Sequence, residues 1–210
     1  MRFDAFVKEY GNLSIIDSGL ILSQSGHNAQ VLRNQLSRWS SKGYIVPLRK
    51  GLYFLEKTNT SDVNEYYLAN KLYEPSYLSL ESALSFYSMI PERVYTFTSI
   101  STKKTQSFKN KFGVFIYRHI KPECFRGFKI IDFFGKKVFI AEAEKALVDF
   151  LYFNLSVFKK DVKKQLIESY RLKEFHVLSV DKLMSYAEFF SNKKLLKVIS
   201  ACVELVGEFK

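Results

Sequence analysis

The clearest structural pattern in the chain lies in residues 29–55, which have the sequence AQVLRNQLSRWSSKGYIVPLRKGLYFL. Within them, one apolar stripe recurs at helical spacing: Ala29, Leu32, Leu36 and Trp39. Such a stripe is typical of an amphipathic helix that packs one face against a core. Lys42 and Gly43 end the helix, because glycine adopts a left-handed cap conformation at little cost. Strands are then predicted over 44–46 and 52–55, around the basic segment 47–51.

The opposite face of this predicted helix is polar and carries no acidic residue. Its members are Gln30, Arg33, Asn34, Ser37, Arg38 and Ser41. In the major groove of DNA, arginine pairs with guanine, and asparagine or glutamine pairs with adenine. The candidates for base contacts are therefore Gln30, Arg33, Asn34 and Arg38. The candidates for phosphate contacts are Lys42, Arg49 and Lys50. The alternative is a small helical domain whose polar face is only solvated.

The segments before and after this stretch extend the pattern into two domains. Residues 2–10 have helical spacing, and the apolar segment 14–25 is interpreted as a second helix. Three helices followed by a hairpin with a basic tip are the order of a winged helix-turn-helix, which we place at residues 1–56. The polar segment 57–63 is a candidate linker.

Residues 64–210 are expected to form a mixed α/β domain with a helical C-terminus, so the predicted fold class is α+β. The predicted helices cover 64–72, 80–87, 141–153 and most of the chain from 161 onward. The predicted strands cover 94–98, 113–117, 128–131 and 137–140.

Composition favours a DNA-binding function without proving it. The chain has 210 residues with 32 Lys and Arg against 21 Asp and Glu, a net charge of +11. Such a surplus favours a polyanionic partner, although a lysine-rich coding bias would also produce it. Cys124 and Cys202 match no zinc-ligand spacing, and no apolar run is long enough to span a membrane. A cytoplasmic, reducing location without a cofactor is expected.

A second basic segment lies between two predicted strands, at residues 101–111, with four lysines and no acid: Lys103, Lys104, Lys109 and Lys111. It is a candidate phosphate-contacting loop. The alternative is an exposed hairpin that lysine keeps soluble.

Catalytic signatures are missing from the sequence. The nuclease arrangement of an acid followed by Glu-x-Lys fails, because Ala143 occupies the ligand position before Lys145. Glu142 and Glu144 lie two residues apart on a predicted helix and so cannot face one ion together. No glycine-rich phosphate loop and no histidine ligand set is present. We therefore expect a protein that is not an enzyme.

Several stretches resemble the AbiEi-type antitoxins. They are residues 36–54, residues 77–84 (YLSLESAL), the predicted strand 94–98, and residues 141–149 (AEAEKALVD). This resemblance covers roughly residues 30–150. It implies a transcriptional regulator of bacterial phage-defence loci, a type IV antitoxin that represses its own operon and counters a nucleotidyltransferase-like toxin. It also implies an N-terminal winged helix on operator DNA, with Arg33, Arg38, Arg49 and Lys50 as contacts, and a C-terminal antitoxin domain.

The sequence thus predicts a sequence-specific repressor and antitoxin whose partners are double-stranded operator DNA and a cognate toxin. The alternative is a non-enzymatic interaction module that uses the winged helix as a platform for a partner or a second copy.

Overall fold

The computed structural model describes residues 2–25, 28–55, 64–91, 95–133, 135–158 and 161–209. They form a mixed α+β structure with two separate sheets, as the sequence predicts. The predicted linker, 57–63, lies outside the described residues. In the described part of the chain, no helix combines the length and the apolar character that crossing a bilayer requires.

The N-terminal part consists of three helices and a small antiparallel sheet with the strand order β1-β3-β2. Its elements are α1 (Phe3–Tyr10), β1 (Ile15–Asp17), α2 (Ser18–Ser25), α3 (Ala29–Ser41), β2 (Ile45–Arg49) and β3 (Leu52–Leu55). The prediction of a helix over 14–25 is wrong in its first half, because Ile15 and Ile16 pair with β3 instead. Asp17 Oδ1 then accepts from the Gly19 N–H at 2.7 Å, so the chain turns from strand into helix at this residue.

The predicted hairpin forms with a tighter turn than the sequence indicates. Gly43 adopts a φ of 71° after α3, which confirms the predicted glycine cap. β2 continues as far as Arg49, so the turn consists of Lys50 and Gly51 alone, and Gly51 has a φ of 82°.

A first hydrophobic core holds α1, α3 and the small sheet together. Phe6, Leu36 and Trp39 are buried in it. The rings of Phe6 and Trp39 lie 4.7 Å apart. Of the predicted stripe of α3, Leu32, Leu36 and Trp39 face this core, whereas Ala29 in the first turn is exposed.

The second part is built on a six-stranded mixed sheet with the order β6-β7-β5-β4-β9-β8. Its elements as far as residue 153 are α4 (Glu65–Leu72), β4 (Ser76–Leu78), α5 (Leu80–Phe86), β5 (Thr96–Ser101), β6 (Gln106–Asn110), β7 (Gly113–His119), β8 (Phe128–Phe133), β9 (Lys136–Ala141) and α6 (Ala143–Phe153). The strands predicted at 113–117, 128–131 and 137–140 are confirmed. The strand predicted at 94–98 begins at Thr96, and Val94 lies outside the described residues. Sequence reasoning missed β4 and β6.

Helical segments complete the chain. They are α7 (Val162–Lys164) with a π-helical turn over Gln165–Ser169, α8 (Val180–Glu188) and α9 (Lys193–Glu208). The predicted helical C-terminus is therefore confirmed. Cys124 and Cys202 are both free and buried.

The β2–β3 hairpin belongs to both cores. Ile45 and Leu55 face the first core, whereas Leu48, Leu52 and Phe54 belong to the second and larger one. Because strand side chains alternate between faces, one two-stranded ribbon supplies both cores.

Candidate nucleic-acid interface

The polar face of α3 is open to solvent, as the sequence predicts. All six of its members are exposed: Gln30, Arg33, Asn34, Ser37, Arg38 and Ser41. The helix begins at a genuine cap, because Asn28 Oδ1 accepts from the N–H groups of Gln30 at 2.9 Å and Val31 at 3.3 Å. This cap orders the first turn, which in a groove-reading helix carries the side chains nearest the bases.

Two amides occupy the centre of this face. Gln30 Nε2 donates to Asn34 Oδ1 at 2.9 Å, so the pair is held in one arrangement across a helical turn. At 100° per residue, Asn34 lies about 170° from the middle of the buried stripe and points straight away from the core. The Asn34 amide nitrogen and the second lone pair of its oxygen stay available for adenine, which presents one acceptor and one donor in the major groove.

The two arginines flank the amides on opposite sides. Arg33 lies about 90° from the middle of the buried stripe, and Arg38 lies about 130° from it in the other direction. Arg33, which the sequence places among the base-contacting residues, therefore sits at the rim of the face. Its long side chain can still reach a base or a phosphate.

Val31 is a functional candidate that sequence reasoning missed. It is 59% exposed, and it lies on the same side of α3 as Arg38. An apolar side chain on a groove-reading helix contacts the methyl group of thymine. The only sequence signal for Val31 is that it is apolar but does not lie in the apolar stripe that packs against the core.

Of the three candidate phosphate contacts, Arg49 alone has surroundings that differ from those the sequence suggests. Lys50 is exposed in the turn, and Lys42 is exposed at the end of α3. Arg49 is half-buried, and its Nε donates to the Leu72 carbonyl at 2.7 Å. A second guanidinium nitrogen of Arg49 donates to the Lys50 carbonyl at 3.0 Å. Arg49 therefore ties the hairpin to α4 and has fewer donors left for a phosphate.

The four lysines of 101–111 do not form one loop, so that expectation is corrected. Lys103 and Lys104 lie between β5 and β6, whereas Lys109 lies within β6 and Lys111 in the following turn. The strand arises because Gln106–Asn110 pairs with β7 in antiparallel register. Lys111 Nζ lies 5.2 Å from the centre of the Phe112 ring and 5.7 Å from the centre of the Phe54 ring, which belongs to the second core.

Residues 77–84 and 141–149 meet in a buried polar network. Lys145 Nζ contacts Asp149 Oδ1 within α6, and both side chains are fully buried. Asp149 Oδ2 also accepts from Ser79 Oγ at 2.8 Å and Tyr77 Oη at 3.1 Å. Burial raises the pKa of Asp149, although Lys145, Ser79 and Tyr77 all oppose the shift. This network joins β4 and the start of α5 to α6, and all four of its side chains are buried.

The acidic residues considered for a nuclease have other partners. Glu142 Oε2 accepts from Lys182 Nζ at 2.6 Å and from Tyr186 Oη at 3.1 Å. Glu144 Oε1 accepts from the Ser179 N–H at 3.0 Å. In the described ranges, no three His, Cys, Asp or Glu side chains are grouped so as to hold a metal ion.

Comparison with known proteins adds no family to this picture. No protein-family model matches the chain, and no curated protein is significantly similar to it in sequence.

Proposed function

We propose that the chain is a sequence-specific DNA-binding repressor in which residues 1–56 act as a winged helix-turn-helix. The element order helix, strand, helix, helix and hairpin supports this proposal, with α3 as the groove-reading helix. The observation that carries it is the exposed, acid-free face of α3 with the Gln30–Asn34 pair at its centre. A phosphate-rich surface repels carboxylates, so a face without them suits DNA.

Within this function, the residues divide by what they contact. The proposed base contacts are Gln30, Arg33, Asn34 and Arg38, with Val31 against thymine. The proposed phosphate contacts are Lys42 and Lys50. Arg49 holds the hairpin against α4 and adds at most one donor to a phosphate.

The biological role that we propose is that of an antitoxin in a type IV toxin–antitoxin locus of phage defence, acting in the cytoplasm by binding rather than by catalysis. This part rests on the resemblance of residues 36–54, 77–84, 94–98 and 141–149 to the AbiEi-type antitoxins. Residues 64–210 would then serve the antitoxin activity toward a nucleotidyltransferase-like toxin.

A mobility-shift titration tests DNA binding directly. The full chain is titrated onto the DNA upstream of its own gene and onto scrambled DNA, at two salt concentrations. We expect a specific shift that Asn34→Ala weakens on the upstream DNA only. Lys197→Ala, which removes an exposed charge from α9, is the control and should leave the preference unchanged. Equal binding of both DNAs by the unmodified chain would contradict the proposal.

Exposed apolar side chains on the N-terminal part favour a second candidate, a platform for a protein partner or a second copy. They are Leu13, Leu20, Val31 and Tyr44, between 43% and 62% exposed. This candidate predicts that Arg33→Ala and Asn34→Ala leave DNA binding unchanged, and that Leu20→Ser weakens self-association measured by sedimentation.

A further inference from the structure

A cleft of about 430 Å³ lies between the hairpin turn and the second part of the chain. Its walls bring together two basic segments that are more than fifty residues apart in sequence. Arg49 and Lys50 come from the hairpin, and Lys103 comes from the β5–β6 loop. Tyr73 and Phe108 form its aromatic floor, and Lys103 Nζ lies 5.4 Å from the centre of the Tyr73 ring.

Hydrogen bonds fix the backbone on both sides of this cleft. Tyr73 Oη donates to the Lys104 carbonyl at 3.0 Å, and the His119 ring Nδ1 lies 3.1 Å from the Lys103 carbonyl. On the other wall, Arg49 Nε binds the Leu72 carbonyl next to Tyr73. The lysine side chains therefore extend from anchored backbone, which lowers the entropy lost when they bind an anion.

The charge inside the cleft is positive. Three cations face one carboxylate, Glu74, whose Oε1 accepts from Lys71 Nζ at 2.6 Å. Because Lys71 already compensates Glu74, the charges of Lys50 and Lys103 are left to act on a ligand.

We propose that this cleft binds backbone phosphates of the same DNA duplex, next to the segment that α3 contacts. The proposal rests on the proposed DNA-binding function. Lys50 belongs both to the hairpin tip and to the cleft, so the two surfaces are continuous. The second part of the chain would thus lengthen the DNA contact through Lys103, with Lys104 exposed beside it.

Lys109 provides a matched control for Lys103. It is exposed on β6, one residue from Phe108, which lines the cleft. Successive strand residues point to opposite faces, so Lys109 faces away from the cleft. Lys103→Gln and Lys109→Gln therefore remove the same charge from nearby positions, of which only Lys103 lines the cleft.

The experiment measures how affinity depends on salt. The DNA is a duplex selected from a random library with the full chain. A hydroxyl-radical footprint identifies the base pairs that are protected on either side of the selected site. The duplex is then used at full length and in a trimmed form that lacks these flanking base pairs. On the long duplex, Lys103→Gln should reduce the slope of log K against log salt by about 0.9, the value for one phosphate contact. Lys109→Gln should not change the slope. On the trimmed duplex, the unmodified chain and Lys103→Gln should bind alike.

Three results distinguish failure of this inference from failure of the proposed function. If Lys103→Gln keeps the slope and footprint of the unmodified chain, the cleft does not bind the duplex and the inference is overturned, while the proposed function stands. If inorganic pyrophosphate at constant ionic strength raises the melting temperature of the unmodified chain but not of Lys103→Gln, with the DNA slope unchanged, the ligand is a free phosphate and the inference is also wrong. If the unmodified chain does not distinguish the selected duplex from a scrambled one, the proposed function itself fails.

Discussion

Replacing Asp149 by leucine tests whether the buried ion pair holds the larger core together. The substitution leaves the Lys145 ammonium fully buried without its counter-ion, and it removes the acceptor of the Ser79 and Tyr77 hydroxyls. Removing one partner of a buried pair costs about 3–5 kcal/mol, because the remaining charge stays buried without compensation. We expect a loss of about 4 kcal/mol, which lowers the melting temperature by about 8–16 °C in a chain of this size.

The partner substitution should cost less and should introduce a pH dependence. In Lys145→Met, Asp149 can take up a proton, and its second oxygen still accepts from Ser79 and Tyr77. Burial then raises the pKa of Asp149 further, because the opposing lysine is gone. A carboxyl whose pKa is higher in the folded state binds more protons there, so the stability of this variant should fall as the pH rises through that pKa.

Urea unfolding followed by far-ultraviolet circular dichroism measures these differences. Trp39, the only tryptophan, lies in the first core, so its fluorescence reports separately on the N-terminal part. The exposed Glu188 supplies a control, since Glu188→Leu should change stability by less than about 0.5 kcal/mol. The double variant Lys145→Met with Asp149→Leu should cost less than the sum of the two single variants. The reasoning is refuted if Asp149→Leu costs less than about 1 kcal/mol, or if the two effects simply add.

Three further outcomes are expected. Asn34→Ala should cost about 1–3 kcal/mol of DNA-binding free energy and relax specificity at one adenine, measured against a panel of single-base operator variants; a uniform loss at every position would contradict this assignment. Burial acts to raise the pKa of Glu142, but the hydrogen bonds from Lys182 and Tyr186, together with the charges of Lys182 and Lys129, lower it overall. The contribution of Glu142 to stability is therefore present above its unfolded pKa and is lost as the pH falls through the lower folded value. Lys182→Met should flatten this acid limb in pH-dependent thermal unfolding, and an unchanged limb would exclude the pair as its cause. Gly51→Ala should destabilise the hairpin by about 1–2 kcal/mol, because a φ of 82° is strained for alanine, and a neutral result in urea unfolding would show that the turn relaxes.

The elements that could be predicted are those whose pattern is local. The stripe of α3 and the β-branched and aromatic residues of β7 determine their own secondary structure, whatever packs on them. Ile15 and Ile16 were assigned to a helix because their partner in β3 is almost forty residues away. β6 was missed for the same reason, since the polar sequence QSFKN becomes a strand only by pairing with β7.

The candidate site shows the same limit. Exposure of Asn34 follows from helical periodicity, and the structure confirms it. The engagement of Arg49 by the Leu72 carbonyl is a contact across 23 residues that no spacing rule contains. Likewise, residues 77–84 and 141–149 stand out in sequence, yet they meet in a polar network whose side chains are buried. A distinctive sequence motif of this kind can therefore serve to stabilise the fold rather than to form a functional site.

The hairpin shared between the two cores has a consequence for how this chain can be divided. A fragment cut after the hairpin would carry Leu48, Leu52 and Phe54 into water, and Phe54 would lose the Phe112 ring that now lies 5.1 Å away. A functional chimera would therefore have to exchange the hairpin together with the surface of the larger sheet that receives it. We therefore expect that substitutions on the two sides of this seam have coupled, non-additive effects on stability.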